Sequence, residues 1–181
     1  MKKVFLLLAV AGMFAACNMP MKNDNSAANK AKVMRFYDEV FNAHNTALLD
    51  SFVTADFVDH TPDPGHTGKG MDDLKSGFHD FFTAFPDIHV TPEILLASGD
   101  TIASKVQITG TNTGPGAMGP NFPATNKKVD VNMIEILIIK DGKATDRWGY
   151  FDQMKWMEQL GLGGPGAGAP MDTTKKKVQG I

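Results

Sequence analysis

The chain has 181 residues, 43% hydrophobic and 21% charged, which suits one soluble globular domain. Its net charge of −2 offers no basic surface for nucleic acid, and its single cysteine excludes a disulfide within the chain. Eleven methionines and twelve phenylalanines predict a soft, aromatic interior, which also suits a pocket for a flexible ligand.

The first residues read as an address. Lys2 and Lys3 precede an apolar or small run from Val4 to Ala16, too short to span a bilayer and of signal-peptide length. Residues 1–16 are therefore expected to be a signal peptide. The run ends Phe14-Ala15-Ala16-Cys17, which resembles a bacterial lipobox with phenylalanine where leucine is usual. The alternative is an ordinary secretory signal cut near Ala16. The lipobox resemblance implies an exported protein, acylated at Cys17 and anchored to the cell envelope; two or more chains anchor stably. Asn18 in the next position favours the outer membrane. Residues 17–29 are polar or small and read as a lipidated tether. Residues 163–181, rich in glycine and ending near Lys175, Lys176 and Lys177, read as a disordered tail. The folded domain is expected over residues 30–162.

Within it, Val33, Phe36, Tyr37, Val40, Phe41 and His44 recur at helical spacing. A second helix fits Thr46 to Val53, capped by Asn45 or Thr46. The third carries one apolar stripe of Met71, Leu74, Phe78, Phe81, Phe82 and Phe85, with Asp72 and Asp73 in its first turn and Pro86 as its stop. The pattern then changes to strands: Ile88 to Ala97, Thr101 to Thr111, Val129 to Lys140 and Lys143 to Phe151. Ser98-Gly99-Asp100 and Asp141-Gly142 supply the hairpin turns. Gln153 to Leu160 closes as a helix stopped by Gly161. Helices followed by a meander predict an α+β fold, with about three N-terminal helices on one face of a curved antiparallel sheet and a pocket between the layers.

Several segments in order carry a family resemblance. They are Asp56-Phe57-Val58-Asp59-His60, Ala84-Phe85-Pro86-Asp87, Gly99-Asp100-Thr101-Ile102, Gly110-Thr111-Asn112-Thr113-Gly114, Asp141-Gly142-Lys143 and Trp148-Gly149-Tyr150-Phe151-Asp152, followed by Gln159-Leu160-Gly161. Together they resemble the SnoaL-like polyketide cyclase and ester cyclase family, which has the cone-shaped nuclear transport factor-like fold. Asn112 stands where the family often has histidine. Asn126 replaces the glycine of the Pro-x-Thr-Gly-Lys turn, which asparagine's tolerance of left-handed backbone permits.

The resemblance implies acid/base chemistry without a cofactor on a small apolar carbonyl or ester compound, with Asp152 as the acid/base group, helped by His60 and Glu135. An apolar pocket would raise such a carboxylate toward neutrality. Asp146, Trp148, Tyr150 and Asp152 share one face of their strand, which makes Trp148 and Tyr150 candidate ligand contacts. Asp152 also precedes the last helix, where a plain N-cap is the competing role. Glu135 lies in a strand apolar on both faces, so both faces are expected to be covered and Glu135 faces a wet cavity or an ion-pair partner. His60 matches the family's histidine after a short strand, at the cavity mouth; a local loop hydrogen bond is the alternative. His66 lies in a glycine- and proline-rich loop suited to a lid, though such loops are often only solvated. Phe82 and Asn112 complete the candidate ligand contacts. His60, Asp63 and His66 lack a third histidine or cysteine at metal-ligand spacing, so no metal is expected. Besides an enzyme, the pattern admits a lipid-anchored binding domain or a homodimer formed through the open sheet face.

Overall fold

The computed structural model describes residues 24–119 and 121–162. The expected signal peptide, Cys17 and residues 163–181 lie outside the described residues.

The first helix, α1, runs Ser26–Phe36 and passes into a wider π turn over Tyr37–Phe41. The tether expected to reach residue 29 thus ends by Ser26. The helix start is held from a distance: Ser26 Oγ accepts the Gly99 amide at 2.9 Å, and Asn29 Nδ2 donates to the Gly99 carbonyl at 2.9 Å. A protein starting at Lys30 loses both bonds, and is expected to unfold at about 1–3 kcal/mol less than one starting at Asp24, at about 1 kcal/mol per bond plus the lost turn of helix. Urea denaturation of the two fragments measures the difference.

The second helix is shorter than its pattern. A 3-10 turn at Thr46–Leu48 leads into α2, Leu49–Phe52, and neither Asn45 nor Thr46 makes a side-chain cap. Val53, expected as the helix end, begins strand β1, Val53–Asp59. Its Val and Phe57 are buried in the core, which β structure serves better than another helical turn. Helix α3 spans Gly70–Ala84. The four later strands are β2 (His89–Ser98), β3 (Thr101–Thr111), β4 (Lys128–Lys140) and β5 (Lys143–Phe151), and α4 is Gln153–Gln159.

The sheet order is β1-β5-β4-β3-β2. The meander β2 to β5 is antiparallel, as expected, while β1 joins its edge parallel to β5. The fold is therefore α+β, with helices covering one face of a mixed, unclosed sheet. Strand β4 shows why the layers form: Val129, Val131, Met133, Glu135, Leu137 and Ile139 are buried, and the residues that alternate with them point away. The described residues leave the outer face of β4 uncovered: Ile134 and Ile136 are exposed, 57% and 42%. Under the helices, Phe36, Phe41, Phe78, Phe81 and Phe85 interlock edge to face or tilted at 5–6 Å spacing, the geometry aromatic quadrupoles favour.

Candidate functional site

Between the helices and the concave face of the sheet lies a cavity of about 420 Å³. Its walls are mostly apolar, with Phe78, Phe81, Met133, Leu137 and Trp156 among them. One wall is charged. Strand alternation sends Glu135 of β4 and Arg147 of β5 inward, and the end of β1 adds Asp59. Arg147 Nε donates to Glu135 Oε2 at 2.9 Å, and its Nη1 donates to Asp59 Oδ2 at 2.7 Å. Its Nη2 lies 3.2 Å from the Met133 sulfur. Gly149 makes room for this cation: a Cβ there would stand 2.4 Å from Arg147 Nη2. Burial works against the Arg147 charge, but Glu135 and Asp59 outweigh it and hold the guanidinium above its ordinary pKa.

The π turn brings Tyr37 to the same carboxylate. Its hydroxyl donates to Glu135 Oε1 and lies 2.9 Å from Ser104 Oγ, which reaches Glu135 Oε1 at 3.3 Å. Burial and then the Glu135 charge raise the Tyr37 pKa well above the ordinary phenol range, so the phenol keeps its proton as a donor. Glu135, 5% exposed, is thus both a cavity wall and one half of an ion pair. The two readings of this residue coincide, because a buried carboxylate at the cavity edge needs such partners.

The cavity mouth is framed by the loop between β1 and α3. Its ends are tied by Asp59 N to Gly68 O at 2.7 Å. Gly68 has φ +71°, and a Cβ there would lie 2.1 Å from the Asp59 carbonyl oxygen, so only glycine closes the loop. Asp73 on α3 accepts the Thr67 and Gly68 amides at 3.1 and 2.8 Å. Desolvation raises its pKa, but these bonds and His66 prevail and leave it below the usual carboxylate value. His66 lines the cavity, with Nε2 3.4 Å from Asp80 and Nδ1 3.8 Å from Asp73.

The other expected site residues lie elsewhere. Trp148 and Tyr150 occupy the outer face of β5, opposite Ile136 and Ile134 of β4. His60 is not at the cavity: its ring stacks on Trp148 at 4.1 Å and its Nε2 lies 2.9 Å from Asp146 Oδ1. Phe82 stacks on His44 at 4.1 Å and meets Phe41 at 5.6 Å, while its neighbours Phe78 and Phe81 line the cavity. Asn112 is fully buried and clamps loops together. Its Nδ2 donates to the Ala84 and Gly114 carbonyls, and its Oδ1 accepts from Thr125 N and Oγ1. Asn126 beside it has φ +57°, the left-handed turn expected of it.

Asp152 is exposed, does not line the cavity, and accepts the Lys155 amide at 2.9 Å as the N-cap of α4. Asp152→Ala is accordingly expected to cost about 1 kcal/mol, read by thermal melting, with no change in ligand affinity. A tenfold loss of affinity with an unchanged melt would instead place Asp152 in the site.

Four residues of this wall, Arg147, Tyr37, Asp59 and Ser104, are not among the site residues expected from the sequence. Arg147 had the clearest signal, as one of only two arginines in the chain and set inside a strand. Among the described residues, no group of three or more His, Cys, Asp or Glu is placed to hold a metal.

The match to known proteins agrees with this geometry. The family model for SnoaL-like polyketide cyclases matches residues 31–160. A structure from Bacillus cereus ATCC 10987, described as a polyketide cyclase, is 33% identical, with 72% of this chain and 78% of that chain covered and a TM-score of 0.60. A SnoaL-like polyketide cyclase structure from Jannaschia sp. CCS1 is 20% identical, with 80% and 95% covered and a TM-score of 0.66. IdmH from Streptomyces antibioticus, described in the same way, is 22% identical, with 74% and 98% covered and a TM-score of 0.61. The last two support the fold alone. No curated protein matches the chain. With most of the folded domain covered by the family model, the chain belongs to the SnoaL-like polyketide cyclase family.

Proposed function

We propose that this domain takes a small, largely apolar carbonyl or ester compound into its cavity and catalyses a proton transfer on it, of the kind a ring closure needs. The observation that carries the reading is the cavity itself: about 420 Å³, mostly apolar, with Arg147 fixed on one wall. Apolar walls hold the carbon skeleton and exclude water. The fixed guanidinium favours the carbonyl oxygen as it gains negative charge. Asp152, which the resemblance put forward as the acid/base group, is exposed and capping, so the proton passes to a group that lines the cavity.

The satisfied state of Glu135 and Asp59, each bonded to Arg147, favours a second reading: a binding domain that holds the ligand without turning it over. Around either core we place export and envelope anchoring through an acylated Cys17, and a homodimer formed on the exposed apolar sheet face of Ile134, Ile136, Leu96 and Tyr150.

Two tryptophans make a test simple. Trp156 lines the cavity and Trp148 does not. A Trp148→Phe protein titrated with 1-indanone is expected to show saturable quenching of Trp156 fluorescence. In deuterium oxide the bound ketone should exchange its α-hydrogens faster than in buffer, by NMR. Binding without exchange would support the binding domain; neither binding nor exchange would refute both readings.

A further inference from the structure

The cavity's carboxylates are not alike. Glu135 accepts from Tyr37, Ser104 and Arg147, and Asp59 accepts from Arg147 and Thr61. Their lone pairs are engaged, and the two share the single positive charge of Arg147. Asp73 is held by two backbone amides. Asp63 differs. It lines the cavity from the loop over its mouth, and its carboxylate makes no side-chain hydrogen bond to a described residue. Its backbone is nonetheless fixed, because its carbonyl accepts the His66 amide at 3.1 Å inside a loop closed by Gly68.

We propose that Asp63 is the general base of the cavity, the group that takes a proton from the carbon next to the carbonyl of the bound compound. This rests on the proton-transfer reading above. In the step, the C–H bond breaks and an O–H bond forms on Asp63. The C–H electron pair moves into the adjoining C–C bond, and the carbonyl π pair moves onto oxygen. Arg147 faces the same cavity and stabilises the resulting enolate. The enolate carbon then bonds to a second carbonyl carbon of the same compound, whose π pair moves onto its oxygen, and Asp63 returns the proton to that oxygen.

The surroundings of Asp63 suit the task. Asp63 is exposed to solvent on one side and lines the cavity, yet the protein packed about its carboxylate desolvates it and pushes its pKa above the ordinary range. Arg147 and His66 oppose that rise, and Asp59 adds to it. Asp80 and Asp73, on α3, face the neighbouring His66. A base whose pKa lies nearer neutrality is stronger when ionised, which is the condition for general-base catalysis near neutral pH. No described residue hydrogen-bonds its side chain, so its substitution is expected to leave the fold intact.

The probe is 5-nitrobenzisoxazole, a small apolar ring that opens to a coloured cyanophenolate when one base removes one C–H proton and the N–O bond breaks. The intact protein is expected to open it faster than an equal concentration of acetate. Asp63→Asn should reduce the rate by about a hundredfold, the usual share of a general base, with an unchanged melting curve. Asp152→Asn should retain the rate. The rate should rise with pH through a midpoint above the ordinary aspartate value of about 3.9. If Asp63→Asn keeps the rate while the parent protein is active, Asp63 is not the base and the cavity reading stands on another group. If the parent protein is no faster than acetate, Asp63 is not a general base. Failure of 1-indanone exchange as well would remove the proton-transfer reading with it.

Discussion

Arg147→Met is expected to lower the unfolding free energy by about 3 kcal/mol, the lower end of what breaking a buried ion pair costs. Among the described residues the guanidinium is the only cation bonded to two inward carboxylates, Glu135 at 2.9 Å and Asp59 at 2.7 Å. Methionine has similar length and fills much of the space, so the loss is electrostatic rather than a void. It leaves Glu135, with a side chain 6% exposed, charged beside Asp59 and without its partner. The effect stays at the lower end because Arg147 is itself 24% exposed, so cavity water solvates part of what it abandons. The double variant Arg147→Met/Glu135→Gln should regain part of the loss. Glutamine still accepts from Tyr37 but carries no charge, and the two sites share one network, so their effects are not additive. Urea unfolding of the four proteins, with unchanged m-values, measures the cycle. A loss below about 1 kcal/mol for the single variant would mean that this wall does not help hold the fold.

Asn112→Ala is expected to be nearly as damaging, at about 3 kcal/mol, through a different mechanism. Asn112 has no exposed surface and uses both ends of its amide. Two carbonyls accept from it, at 3.1 and 2.8 Å, and Thr125 gives it an amide and a hydroxyl proton, at 2.8 and 3.0 Å. Alanine leaves the Gly114 carbonyl and the Thr125 amide and hydroxyl without this partner, while the Ala84 carbonyl keeps the Gly114 amide; each group left buried and unpaired costs about 1–3 kcal/mol. Asn112→Asp should not rescue the fold, since a carboxylate has no protons for Ala84 and Gly114. The clamp also carries the approach of the next loop, whose Pro115 to Met118 line the cavity. Limited proteolysis should therefore cut residues 113–127 of the alanine variant faster than the parent chain. A variant that melts normally but binds ligand poorly would return Asn112 to the role of a direct ligand contact.

The phenylalanine stripe of α3 and the Asp141-Gly142 hairpin are local signals, so period and turn chemistry located them in the chain. The strip from Thr46 to Val53 was not local in the same way: Val53 leaves the helix because β5 offers it a parallel partner at Ala144, ninety-one residues on. Glu135 stood out because a charge inside an apolar strand demands a partner. Arg147 and Asp59, its answer, are twelve and seventy-six residues away, and no spacing rule joins them.

The order of residues by itself determined the α+β plan, the succession of helices and hairpin strands, and the family, because these depend on contacts near in the chain. Only the tertiary structure decided which face of β5 looks inward. Alternation sorts Asp146, Trp148 and Tyr150 from Arg147, Gly149 and Phe151, but it is symmetric between the two sets. The helices broke that symmetry by covering one face. Arg147 is therefore in the cavity, Trp148 lies under His60 on the open side, and Asp152 caps a helix.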